Sequence, residues 1–114
     1  MESINRQVMV IKPKHPYVKW INSLPDMDDD PCIIDSMNDD CTAILLPHFD
    51  DRSASLKFLK KIYKQLFEIE LEGWSTDENT WPKKRSFSLF CEWFQLEFHS
   101  EVLDFGAGPI CIDD

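Results

Sequence analysis

Residues 53–72 carry the clearest pattern of hydrophobic and polar positions in the chain, and that pattern predicts a long amphipathic helix. At about 100° per residue, the apolar positions share one broad face of this helix. They are Leu56, Leu59, Ile62, Tyr63, Leu66 and Phe67. The lysines within 57–64 occupy the opposite side, and Gly73 stands at the position of a C-terminal cap.

Shorter segments have the patterns of strands and of one small helix. Residues 5–12 are rich in β-branched side chains and stop at Pro13, and residues 42–47 form a second apolar run. Pro16 suits the first position of a short helix, which we expect to end before Pro25.

Residues 86–105 allow two interpretations, because their apolar positions fit both helical and strand spacing. The first is a helix over 86–95 followed by a strand over 97–105. The second is a long hairpin that turns near 98–101. We favour the helix followed by the strand.

The order of these elements predicts an α+β fold, in which the long helix and shorter helices pack on one face of a small sheet. The strands of that sheet lie near 5–12, 42–47 and 97–105. A length of 114 residues and a hydrophobic content of 43% suit one globular domain over 1–114.

The expected cellular compartment and the net charge restrict the classes of molecule that the protein can bind. The sequence shows no signal peptide and no apolar run of membrane-spanning length, so we expect a cytoplasmic protein with reduced cysteines. The net charge of -9 disfavours nucleic acid and anionic membranes, both of which attract basic proteins. Glycine-rich phosphate loops, paired CxxC motifs and hydrolase motifs are absent, so no cofactor or metal is expected.

Residues 26–40 contain seven aspartates and predict a solvated acidic loop. Asp26, Asp28 and Asp30 alternate like the start of an EF-hand calcium loop. However, Pro31 and Met37 stand where that loop requires glycine and a bidentate glutamate, so we do not expect calcium binding.

One small set of residues defines an enzymatic alternative. His99 and Glu101 would share one face of a strand, and His48 with Asp50 could join them as a metal or acid–base cluster. A half-exposed strand with a polar edge explains the same residues more simply, so we lean against an enzyme.

A protein-binding surface is the preferred hypothesis. Trp74 and Trp81 flank a polar loop, and exposed tryptophan beside arginine is typical of interfaces. The surface would join these two residues and Arg85 to the acidic loop. The alternative, which the need of a small domain to bury large aromatic rings favours, is that both tryptophans belong to the core. Glu70 falls inside the apolar face of the long helix, so it needs a cation or water. Arg85 is the predicted partner, and the pair would dock the Trp81-Pro82 loop on the helix. The alternative is a last helical turn that exposes Glu70.

The chain also resembles a family of small uncharacterised bacterial proteins. The resemblance covers nearly the whole chain and is most specific in 71–104, through the residues Gly73-Trp74, Trp81-Pro82, Arg85-Ser86-Phe87, Trp93-Phe94, His99-Ser100 and Asp104. It implies a bacterial, cytosolic, single-domain protein and carries no catalytic role. It adds Asp104 to the candidate surface of Trp74, Trp81, Arg85 and Glu70. The expected partner is another protein, and an exposed edge strand could support a homodimer.

Overall fold

The computed structural model describes residues 2–25 and 34–113 and confirms the predicted α+β fold. The elements are β1 (Glu2–Ser3), β2 (Arg6–Pro13), α1 (His15–Asn22), α2 (Ile34–Met37), β3 (Thr42–Pro47), α3 (Arg52–Glu72), a 3-10 turn (Glu78–Thr80), α4 (Phe87–Trp93), β4 (Phe94–His99) and β5 (Leu103–Asp104). None of the helices in the described ranges is both long and apolar enough to cross a membrane.

The main sheet has three antiparallel strands in the order β3-β2-β4. Met9 in the central strand lies opposite Ile44 on one side and Phe98 on the other. Because facing residues of a ladder project to the same side, these side chains define the face that the helices cover. Met9 and Ile11 are buried there, whereas Leu45 on the opposite face is 51% exposed.

The C-terminal region contains a helix followed by strands, in agreement with the favoured interpretation of 86–105. Strand β4 begins three residues earlier than predicted, because Phe94 ends α4 in an extended conformation (φ -134°, ψ 141°) and enters the sheet at once opposite Pro13. The strand then stops at His99. A separate ribbon follows, in which β5 pairs with β1.

Helix α3 begins one residue before the predicted start. The side chain of Asp51 caps it by accepting a hydrogen bond of 2.8 Å from the Ala54 N–H. Gly73 does form the C-cap, but its φ of -59° is right-handed, so the backbone there does not require glycine.

The aromatic C-terminal region packs on α3, and this contact forms the centre of the core. Phe67 is fully buried, and its ring lies 5.6 Å from Phe90, 5.5 Å from Trp93 and 5.8 Å from Phe94 between centroids. Tyr17 in α1 extends the cluster through a centroid distance of 4.6 Å to Phe94. Edge-on and tilted geometries of this kind add to the free energy of simple area burial.

We predict that Phe67→Ala lowers the free energy of unfolding by about 3–5 kcal/mol, because it removes a large buried ring and leaves a cavity. Urea denaturation would measure the change. Ile69→Ala is the matched control on the same helix, since Ile69 is 51% exposed; it should change stability by less than about 1 kcal/mol. Equal losses in both variants would contradict this description of the core.

Candidate functional site

The two tryptophans of the predicted surface differ in exposure. Trp74 is 41% exposed, as expected for an interface residue. Trp81 is only 7% exposed, and its indole N–H donates a hydrogen bond of 2.9 Å to the Ser75 carbonyl oxygen. The burial contradicts the partial exposure expected of Trp81 on a binding surface and agrees with the alternative that this ring belongs to the core: the polar loop curls over it.

Arg85 docks the loop after Trp81 on α3, but through a different glutamate from the predicted one. Its Nη1 donates to the Pro82 carbonyl oxygen at 2.8 Å, and its guanidinium lies 5.6 Å from the Trp81 ring centroid. Its Nη2 is 3.9 Å from Oε1 of Glu68. The predicted pairing with Glu70 is wrong because residues two apart on a helix point in nearly opposite directions.

Glu70 instead points towards the sheet. Its Oε1 is buried and has no hydrogen-bond partner within residues 2–25 and 34–113. Burial raises the pKa of the Glu70 carboxyl, while a hydrogen bond with the Thr42 side chain acts in the opposite direction. The Tyr17 hydroxyl donates to the Glu70 backbone oxygen at 2.6 Å and holds this end of α3 against α1.

Asp104 lies at the other end of the molecule from Trp74 and Arg85. It belongs to the ribbon beyond the Arg6 end of the sheet, where its Oδ1 accepts a 2.8 Å hydrogen bond from the Gly106 N–H. That end of the sheet adjoins the start of α3, since Gln7 and Arg52 line a common cavity. A helix of 21 residues is about 31 Å long. The predicted residues therefore do not form one surface.

The residues of the enzymatic alternative are also dispersed. Strand β4 ends at His99, so Glu101 lies outside the strand, and His99 instead has its Nε2 3.7 Å from Oε2 of Glu97. His48 follows β3, which flanks β2 on the side opposite β4. Two strand spacings, about 10 Å, separate β3 from β4.

The other titratable groups in 2–25 and 34–113 are not arranged as metal ligands. No group of three or more His, Cys, Asp or Glu that could hold a metal occurs in the part of the chain that the structure describes. Asp26, Asp28 and Asp30, at the start of the predicted acidic loop, lie outside the described residues. Burial raises the pKa of the Cys41 and Cys91 thiols, which lowers their reactivity.

A groove between α3, α4 and β4 is concave and largely apolar, and the sequence patterns did not reveal it. It has a volume of about 630 Å³. Its apolar lining comprises Leu56, Leu59, Phe87, Phe94, Leu96 and Phe98. Leu56 and Phe98 are 44% and 43% exposed, so apolar surface remains open to solvent along the groove.

Charge in the groove is opposite in sign to that of the whole chain. Among the described residues that line it, Lys14 and Arg52 are basic and none is acidic. A third cation, Lys60, lies 5.6 Å from the centroid of the Phe87 ring in the groove wall. A chain with a net charge of -9 therefore presents a locally cationic, apolar site.

One wall of the groove is an edge strand. Strand β4 pairs with β2 alone among the described strands, so its outer edge carries backbone N–H and C=O groups without a strand partner. Such an edge can accept one more strand, and neighbouring pockets can then bind alternate side chains. The groove therefore combines the backbone and side-chain features that bind an extended peptide.

Comparisons with protein-family models, with curated proteins and with solved structures found no match to this chain. The resemblance to the small bacterial family thus stays a prediction.

We predict that Glu70→Gln changes how stability depends on pH. The raised pKa means that the folded protein binds more protons than the unfolded chain above the ordinary value of 4.5. Wild-type stability should therefore fall as pH rises from that value through the folded pKa, and the variant should lack this loss. Urea denaturation at about pH 4 and about pH 7 would measure it.

Glu68→Gln is the matched control because the Glu68 side chain is 49% exposed. It should leave the wild-type pH dependence in place. If Glu70→Gln gained no stability relative to wild type between the two pH values, the buried carboxylate would be excluded as the cause.

Proposed function

We propose that the protein is a non-catalytic protein-binding module and that its groove binds an extended segment of a partner protein. The observation that supports this proposal most directly is the open apolar groove along the unpaired edge of β4. The segment would add to β4 as a further strand. Its backbone would supply affinity through hydrogen bonds, while alternate side chains would contact Leu56 and Phe98.

The charges favour a segment that is both apolar and acidic. Lys14 and Arg52 flank the apolar lining, so aspartate or glutamate beside the apolar side chains would gain from them. A nucleic acid would also meet these two cations, but the net charge of -9 would repel its phosphates. A short acidic, apolar peptide carries far fewer negative charges than a nucleic acid and gains from the same two cations and from the apolar lining.

The proposed setting is a bacterial cytoplasm, with another protein as the partner. Support for this comes from the pattern over 71–104, which resembles small cytosolic bacterial proteins. Trp74, which is 41% exposed at the far end of α3, remains available as a separate contact.

We predict that peptides of about eight residues, a usual strand length, bind according to their charge. Three labelled peptides would alternate isoleucine with aspartate, with serine or with lysine, and fluorescence anisotropy would give their affinities. The aspartate peptide should bind most tightly, because it meets the apolar lining and both cations. Its affinity should fall as salt rises from about 50 to about 500 mM, since exposed charges are screened.

Leu56→Glu should weaken binding of the aspartate peptide by roughly ten- to hundredfold, because it places a charge on the apolar lining. Ile69→Glu is the matched control on α3: it is similarly exposed but does not line the groove. Equal binding of all three peptides, or equal effects of the two variants, would contradict the proposal.

A further inference from the structure

The segment that follows β5 presents three large apolar side chains to solvent. Phe105 is 74% exposed, Ile110 is 69% exposed and Ile112 is 93% exposed. Exposed apolar side chains so close together in sequence are typical of a segment that binds another surface.

The chemistry of this segment matches that of the groove. Ile110 and Ile112 are two residues apart, so in an extended strand both project to one side, and Cys111 projects to the other. Residues 105–113 include one aspartate, Asp113, and no lysine or arginine, and Asp114 follows directly in the sequence. The segment is therefore apolar and acidic, whereas the groove is apolar and cationic.

A hairpin that turns at Gly108 does not bring the segment to the groove of its own chain. Gly108 has φ 79°, a left-handed conformation that suits a turn between residues 105 and 110. A strand that returned through this turn would place Ile110 beside Phe105 and Ile112 beside Leu103. Both isoleucines would then lie along the ribbon, at least five residues short of Phe98 at the near end of the groove. A groove on a second chain has no such restriction.

We propose that segment 105–113 of one copy occupies the groove of a second copy, so that two chains exchange their segments reciprocally. This inference rests on the proposed function, since it uses the same groove and the same edge of β4. Each chain carries one groove and one segment, so a two-fold symmetric pair fills both grooves. Ile110 and Ile112 contact the apolar lining there, while Asp113 projects to the other side of the segment and lies at the rim of the groove, where the exposed Arg52 can reach it.

Sedimentation of the full chain over a series of concentrations tests this assembly. Wild type should form a dimer. Leu56→Glu alters both grooves and the double variant Ile110→Asp/Ile112→Asp alters both segments, so each should raise the dimer dissociation constant by at least about a hundredfold. All three positions are exposed in one chain, so folding should be preserved, and circular dichroism would verify it. Ile69→Glu should dimerise like wild type.

A mixture of the two weakened variants separates exchange from other contacts. Leu56→Glu retains an intact segment, and Ile110→Asp/Ile112→Asp retains an intact groove. Together they should form a heterodimer with one intact contact, tighter than either variant alone by at least about tenfold. If the chains dimerised through a surface elsewhere on the molecule, the mixture would dimerise no more tightly than either variant alone.

A charge exchange tests the proposed register at Arg52. Arg52→Glu and Asp113→Lys should each weaken the dimer, and combining both in one chain should recover part of the affinity. Arg52 is exposed in the first turn of α3, where glutamate is favourable for the helix, so the substitution should not unfold it.

The outcomes distinguish this inference from the proposed function. The proposed exchange would be overturned if the wild type stayed monomeric up to about 1 mM, or if Leu56→Glu left the dimer dissociation constant unchanged. If the aspartate peptide still bound in those cases, the groove would remain a docking site for a different protein. Failure of both dimer and peptide would overturn both proposals.

Discussion

The direct passage from α4 into β4 at Phe94 is the constraint on which the rest of the structure depends. Phe94 ends the helix, begins the strand and packs its ring 5.8 Å from that of Phe67. With no connecting loop, α4 must stay beside the start of β4, and α3 must lie across both. The groove is the space that remains between these three elements, so its position follows from the core and not from a mobile loop.

The same junction explains why the groove is cationic. A helix that turns directly into a strand leaves its last carbonyl groups without intrahelical partners. Lys14 satisfies two of them, because its N–H donates to the Trp93 oxygen at 2.9 Å and its Nζ donates to the Cys91 oxygen at 3.0 Å. The positive charge of a lysine at a helix C-terminus also interacts favourably with the helix dipole. Lys14 therefore caps the end of α4, and its positive charge at the rim of the groove is also available to an acidic segment.

Local patterns predicted the elements whose signal lies within one stretch of chain. The period of 53–72 identified α3 to within one residue, and proline marked the ends of β2 and β3. Contacts between distant segments were not predictable in this way. The Trp81 ring can be buried because its indole N–H donates a hydrogen bond to the Ser75 carbonyl oxygen. Arg85 pairs with Glu68 because the orientation of α3 about its axis turns Glu68 towards it. The groove was not predictable because the net charge describes the whole chain, whereas Lys14 and Arg52 come to line one groove only after folding.

An unpaired edge beside apolar surface is a hazard for any small sheet, because further chains can add to it without limit. The proposed exchange removes that hazard, since the segment that covers each edge comes from a chain whose own edge is covered in return. Lys14 and Arg52 admit an acidic segment, while the charge of -9 on every copy opposes the approach of others. Local attraction and overall repulsion together favour a closed pair over a growing array. In the proposed pair, the acidic composition that disfavours nucleic acid and anionic membranes would also limit further association.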